Sequence, residues 1–245
     1  AQKEFHNCKN CQGFDKCQNA HKGMRIVLTN EKKFVSTKYE MCDHYLDDKR
    51  VKNCFIYSEF PSEFDDIYLK NMKLYNNGYR QLLKNALIKK IKNHDKSWIY
   101  VYGKKESSKT EFLVAYANSY AKKQYGNIAF LNANDTMNYV KDIFYKEKNQ
   151  FLEFFDTIKE VDLLIIDGFN KENFINNVLR DQFISPLIKY RYENNLETII
   201  SADFDLNELT SFLSLNRFGE GVAYDISNYI HEKIEKQYKL EHLIL

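Results

Sequence analysis

The chain has 245 residues, enough for one large domain or for one domain plus a small module, and its 44% hydrophobic and 29% charged content predicts a packed core. Its net charge is +2, from 36 basic and 34 acidic residues, so global charge selects no nucleic-acid or membrane partner and any basic patch must be local. Gly (8) and Pro (2) are too scarce for long disordered linkers, and no apolar run reaches bilayer length, so a cytoplasmic protein without a signal peptide or membrane partner is expected.

Four of the five cysteines, Cys8, Cys11, Cys17 and Cys42, fall in the first 42 residues, and the fifth is Cys54. An odd count clustered at one end suits a metal site in a reducing compartment better than a disulfide framework. Cys8-x-x-Cys11 supplies half of a tetrahedral site, and Cys42 can close it from beyond a hairpin read at 25–28 and 34–38. Residues 15–22 read as a short helix stopped by Gly23, which puts Cys17 and His21 at i, i+4 on one face. Either could be the fourth ligand, so structural Zn²⁺ held by Cys8, Cys11, Cys17 and Cys42, with His21 as the alternative, is expected. Residues 1–54 are therefore read as a zinc-binding module, and 55–77, irregular and containing Pro61, as a linker. The start at Ala1, without Met, suits a processed chain or a fragment.

From residue 78 to 245 the pattern alternates between helices and strands. Helices are predicted over 79–92, 109–124, 136–145, 151–158, 172–194, 206–213 and 226–238, with Pro186 kinking the fifth. Strands are predicted over 98–102, 127–131, 161–166 and 198–202. Such alternation implies an α/β domain with a parallel sheet and helices on both faces.

The loop between the first of these strands and the helix that follows reads Gly103-Lys104-Lys105-Glu106-Ser107-Ser108-Lys109-Thr110. That is the setting of a Walker A loop, G-x-x-x-x-G-K-[ST], whose backbone N–H groups cradle phosphates while its Lys reaches them. The strand at 161–166 ends in Asp167, where a Walker B acid that associates with Mg²⁺ belongs, and the strand at 198–202 ends at Asp203, where a polar sensor would sit. In an open parallel sheet these three strand ends converge on one crevice. Gly103, Ser108, Lys109, Thr110, Asp167 and Asp203 are thus the candidate ATP/Mg²⁺ residues of a P-loop NTPase fold, with Asp167 the only catalytic candidate.

The same crevice carries departures. Ser108 replaces a glycine whose missing Cβ permits unusual backbone angles. A Glu106 carboxylate about 5 Å from a phosphate charge would cost roughly 3 kcal/mol at an effective dielectric near 20. Gly168 stands where a second acid often orients the attacking water. Asp203 is negative where an amide is usual. Together they predict weak or lost hydrolysis.

The order of parts resembles the bacterial replicative-helicase loader family, primosomal protein DnaI and its DnaC-like relatives. The likeness covers nearly the whole chain. It rests on the Cys8–Cys42 segment, on Tyr100–Gly103 with Lys109–Asn118, on Leu163–Asp167, and on Arg180-Asp181, Ile188–Arg191 and Thr198–Ala202. The resemblance implies an AAA+ ATPase domain that helps place a ring helicase on single-stranded DNA, with the N-terminal part in contact with the helicase and other primosome proteins as partners. It also implies an arginine finger near 225–234. That segment has no Arg, and Arg217 is the nearby candidate. The basic run Lys84, Lys89, Lys90, Lys92 and Lys96 is the local candidate for DNA contact. Two other functions compete: a nucleotide-independent replication adaptor on an AAA+ scaffold, and a transposition-associated AAA+ ATPase. Self-association is left open.

Overall fold

The computed structural model describes residues 11–14, 16–19, 21–31, 34–74, 78–170, 179–213 and 220–240. The chain divides into two compact units, Ala1–Asn53 and Cys54–Leu245.

In the first unit, β1 (Met24–Glu31) and β2 (Phe34–Met41) form an antiparallel hairpin with Met24 opposite Met41. The helix α1 (Asp43–Cys54) follows. The sequence reading missed this helix, although Asp47 and Asp48 precede Arg50 and Lys52 at i, i+3 and i, i+4, and the pairs form at 3.4 and 3.2 Å. The helix expected at 15–22 is not found among its described residues. Cys17 N donates to the Phe14 carbonyl at 3.1 Å, and the Asn19 side chain donates to the Met24 carbonyl at 2.8 Å, so local turns take the hydrogen bonds a helix would have used.

The second unit is a six-stranded parallel sheet in the order β3-β5-β6-β7-β4-β8. Its strands are β3 (Phe55–Ser58), β4 (Trp98–Tyr102), β5 (Ile128–Asn132), β6 (Leu163–Phe169), β7 (Glu197–Ala202) and β8 (Ile234–Lys239). Residues of β6 and β7 are buried almost throughout, as expected for inner strands covered on both faces. Two expectations are corrected here. The stretch 55–77 is not a linker, because Phe55–Ser58 pairs with β5 and a 3₁₀ turn follows at Ser62–Phe64. The helix expected at 226–238 ends at Lys233, and its second half is the edge strand β8, where Ile234, Gln237 and Tyr238 meet β4. The run Ile-Glu-Lys-Gln-Tyr is too short to show whether its period is helical or extended.

The helices are α2 (Gly78–Asn93), α3 (Lys109–Lys123), α4 (Ala133–Lys146), α5 (Lys148–Glu160), α6 (Ser185–Glu193), α7 (Leu206–Leu213) and α8 (Glu220–Lys233). A π-helical turn over Arg180–Ile184 leads into α6. Pro186 lacks the N–H that a regular ladder needs at this point, and it sits in the first turn of α6. The predicted 172–194 helix is thus seen from residue 179 onward, and 171–178 lie outside the described residues.

α3 is the most buried helix. Phe112, Leu113, Val114, Ala115, Tyr116 and Ala117 are all buried against the sheet, which fixes the axis that carries the phosphate loop at its N-terminus. α4 is capped by Asn132, whose Oδ1 accepts from the N–H groups of Asn134 and Asp135.

At the end of the sheet remote from the loop, Glu197 is buried between the Lys90 ammonium, 3.3 Å away, and the Tyr116 hydroxyl, which donates to it. Arg191 is also buried there and donates to Thr198 Oγ1 and the Val161 carbonyl, both at 2.8 Å. These groups tie α2, α3, α6 and β7 to one sheet edge by satisfied polar contacts.

Candidate phosphate-binding site

The chain reverses at Gly103, where β4 meets the loop. A Cβ at Gly103 would lie 2.1 Å from the Leu240 carbonyl oxygen, and Leu240 N donates to the Tyr102 carbonyl at 2.7 Å. Gly103 is therefore required by close passage of the chain after β8 as well as by loop geometry. Glu106 and Ser108 both adopt φ of 64°, a left-handed backbone that favours glycine. Ser108 thus holds the conformation of the glycine it replaces, at a strain of about 1–2 kcal/mol. Glu106 is exposed. Ser107 is 1% exposed, and its hydroxyl is buried without a hydrogen-bond partner.

Arg80, on α2, supports the loop from behind. Its Nη2 donates to the Ser107 carbonyl at 3.0 Å and to Ser108 Oγ at 3.4 Å. Sequence reading missed Arg80, because a single Arg in an amphipathic helix is indistinguishable from a solvated one until its burial is known. At 2% exposure it is the one strongly buried cation beside the loop that the motif does not specify.

The Walker B position is built by β6 and β7. Thr110 Oγ1 donates to Asp167 Oδ2 at 2.6 Å, and the Ser201 hydroxyl donates to Asp167 Oδ1. Ser201 Oγ in turn accepts the Gly168 N–H at 2.9 Å. Gly168 has φ of 83°, and the β6–β7 register shifts between Ile166 and Phe169. Gly168 is therefore a bulge residue that turns the Asp167 carboxylate toward the loop. Its Cβ position is open, with nothing within 4 Å, so backbone angle and not space disfavours a side chain there.

Lys109 is 8% exposed and uses three donors at once. Its ammonium donates to the carbonyls of Gly103 and Lys104, the latter at 3.0 Å, and pairs with Asp203 Oδ1 at 3.1 Å. The structure thus brings Gly103, Ser108, Lys109, Thr110, Asp167 and Asp203 to one crevice, as the motif spacing predicts. Hard oxygen donors at Thr110 and Asp167 fit a Mg²⁺ ion, and the orphaned Ser107 hydroxyl with the first-turn N–H groups of α3 fits an oxyanion. Arg217 lies outside the described residues.

Of the candidate zinc ligands, Cys8 lies outside the described residues. Cys17 and Cys42 are both tied to Gly23. Hydrogen bonds from the backbone of Gly23 and Asn19 hold the Cys17 thiol below its ordinary pKa, and Cys42 N donates to the Gly23 carbonyl at 2.9 Å. Cys42 Sγ also accepts the Tyr45 N–H at 3.4 Å. Cys11 Sγ is 3.7 Å from the Gly13 carbonyl. His21 does not share a helical face with Cys17; its ring packs edge-on to Tyr39 at 5.0 Å. Among the described residues no three His, Cys, Asp or Glu side chains form a metal-binding group. Thiols that accept backbone N–H groups are suited to thiolate ligands, so the donor chemistry fits zinc while the described geometry holds no complete set.

Two lysines of the basic run on and just after α2 have structural partners. Lys90 is buried against Glu197, and Lys84 Nζ donates to the Met72 carbonyl at 3.0 Å, which leaves Lys89, Lys92 and Lys96 exposed. No helix among the described residues is long and apolar enough to cross a membrane.

No family model matches the sequence. Over 123 residues the chain is 28% identical to the replicative helicase loader DnaI of Bacillus subtilis (strain 168). The chain resembles the DnaI/DnaC-type helicase loaders. The match covers 50% of this chain and 38% of that loader, so it spans less than half of the relative's length. A crystal structure of DnaI superposes with a TM-score of 0.63 at 21% identity, covering 78% of this chain and 96% of that one. A crystal structure of the DnaC helicase loader gives 0.58 at 21% identity, covering 75% and 100%. The α/β fold with its parallel sheet is thus the fold of the DnaI and DnaC structures.

Proposed function

We propose that this chain is a DNA-replication protein of the helicase-loader type, which binds a Mg²⁺–nucleotide through Gly103–Thr110 and Asp167 and turns it over slowly. The observation that carries the nucleotide reading is the 2.6 Å contact from Thr110 to Asp167, which joins loop and sheet at the two oxygen donors that would hold Mg²⁺. Bound Mg²⁺ would neutralise phosphate charge. The residues then divide the work: the loop and α3 N-terminus hold phosphate oxygens, Ser201 keeps Asp167 aimed, and Arg80 keeps the loop in shape. Gly168 offers no second carboxylate to take a proton from water, and losing such a base typically lowers a rate about 10²–10⁴-fold.

A replicative ring helicase is the partner this reading assigns, on the strength of what the similar proteins are named for. Single-stranded DNA is a weaker assignment, since two of the five lysines proposed for it are engaged elsewhere. Zinc on Cys8, Cys11, Cys17 and Cys42 belongs to the same proposal, supported by the lowered Cys17 thiol. The adaptor reading, in which nucleotide is not used at all, is favoured by the Lys109–Asp203 ion pair. Co-sedimentation of the full chain with its replicative helicase, with and without Mg²⁺–ATP, tests the loader reading. A stable complex whose phosphate release is slow supports it, and no complex under either condition contradicts it.

A further inference from the structure

The Lys109 ammonium has three donors, and all three are taken: two by loop carbonyls and one by Asp203. In a P-loop the lysine is the group that reaches the outermost phosphates. Any phosphate that comes to Lys109 must therefore displace or adjoin the Asp203 carboxylate, which stands 3.1 Å from the ammonium. Two like charges that share one ammonium repel, and a triphosphate brings two phosphate groups to this lysine where a diphosphate brings one.

Asp203 is not free to leave without consequence. It sits at the end of β7, where its backbone N donates to the Phe169 carbonyl at 3.3 Å, so its Cα is pinned beside β6. Gly168, a bulge glycine in the same crevice, lacks the acid that a terminal-phosphate hydrolase would use. The Lys109–Asp203 pair thus disfavours binding of a third phosphate, and the missing acid at Gly168 disfavours its hydrolysis. The remaining parts stay intact: the Thr110–Asp167 contact, the buried Ser107 hydroxyl without a partner, and Arg80 behind the loop.

We propose that the Asp203 carboxylate takes the place of a terminal phosphate beside Lys109, so that the site selects a nucleoside diphosphate over a triphosphate. The proposal rests on the nucleotide-binding reading above and narrows it to one ligand class. Asp203 is then a specificity residue.

Calorimetric titration of the full chain with Mg²⁺–ADP and with a Mg²⁺-bound non-hydrolysable triphosphate analogue tests it. The expected result is diphosphate binding about tenfold tighter than triphosphate, the size of one like-charge contact at a partly solvated carboxylate. In Asp203→Asn the two ligands should bind within about threefold of each other, because the repulsion is gone while the side chain keeps its size. Thermal melts check that this variant is folded; Asp203→Ser serves if it is not. Equal or tighter triphosphate binding by the wild type overturns the proposal, and so does a ligand ratio unchanged in the variants. If neither nucleotide binds the wild type, the nucleotide reading itself fails along with it, which is a different and recognisable outcome.

Discussion

Arg80 Nη2 lies 3.0 Å from the carbonyl oxygen of Ser107, so a helix that precedes the first core strand of the phosphate loop reaches forward to hold that loop from behind. The loop needs such support. Glu106 and Ser108 both occupy the left-handed region, and neither is glycine. Arg80→Ala removes the donor, leaves a cavity and frees the strained turn. We expect a stability loss of about 2–4 kcal/mol, since a buried charged hydrogen bond and packing are lost together. Chemical denaturation measures the loss. Arg80→Lys should recover only part of it, because the shorter lysine side chain does not bring its ammonium to the place of the Nη2 that serves both Ser107 and Ser108.

Ser201 bridges Asp167 and the Gly168 N–H across two neighbouring strands. Ser201→Ala leaves a buried carboxylate short of one donor and a bulge N–H without its acceptor. The expected destabilisation is about 1–3 kcal/mol. Because Asp167 is also the Mg²⁺-side group, the Mg²⁺-dependent part of nucleotide affinity should fall with it. Titration with and without Mg²⁺ separates the two effects.

Lys90 and Glu197 form a buried pair whose members each show 3% side-chain exposure. Burial raises the Glu197 pKa, while Lys90 and the Tyr116 hydroxyl act in the opposite direction. Glu197→Ala leaves the buried Lys90 ammonium with only the Asp95 carboxylate, 4.0 Å away, and two carbonyls as partners, and should cost about 2–4 kcal/mol. The double variant Lys90→Met/Glu197→Ala should lose less than the sum of the single variants, because neither unpaired charge then remains. Urea midpoints of the four proteins close this cycle.

The thiols should separate by reactivity in metal-free protein. Hydrogen bonds from the backbone of Gly23 and Asn19 lower the Cys17 pKa, whereas burial raises that of Cys54. A lowered pKa means more thiolate at a given pH, so Cys17 should alkylate first near neutrality and Cys54 only as the pH rises further. Mass spectrometry after a timed iodoacetamide pulse reads the order. Added Zn²⁺ should protect Cys17 and leave Cys54 unchanged; equal labelling with and without zinc contradicts the metal proposal.

Much of the second unit could be read from residue pattern. The runs Trp98–Tyr102 and Leu163–Ile166 are apolar and bounded by turn residues, and parallel inner strands need that character. The motif spacing also brought Lys109, Thr110, Asp167 and Asp203 together, since strand ends on one edge of a parallel sheet must converge. β8 and β3, both at the sheet's edges, were missed. Edge strands are half-exposed, and Phe55–Ser58 is too short at four residues to show a period, while Ile234–Lys239 carries Glu235, Lys236, Gln237 and Lys239, which dilute one. Arg80 and Ser201 were missed because their roles come from burial and cross-strand geometry, which no local pattern encodes. Gly168 was read only as an absent acid. Its φ of 83° shows that a glycine is needed there to form the bulge that aims Asp167.

The central claim is that the loop Gly103–Thr110 still takes a nucleotide phosphate. Calorimetric titration of the full chain with Mg²⁺–nucleotide, beside the Lys109→Ala variant, tests it most directly. The account predicts saturable binding by the wild type with a Kd in roughly the micromolar range, weakened at least about tenfold in Lys109→Ala. No heat at millimolar nucleotide, or equal binding by the two proteins, would contradict it.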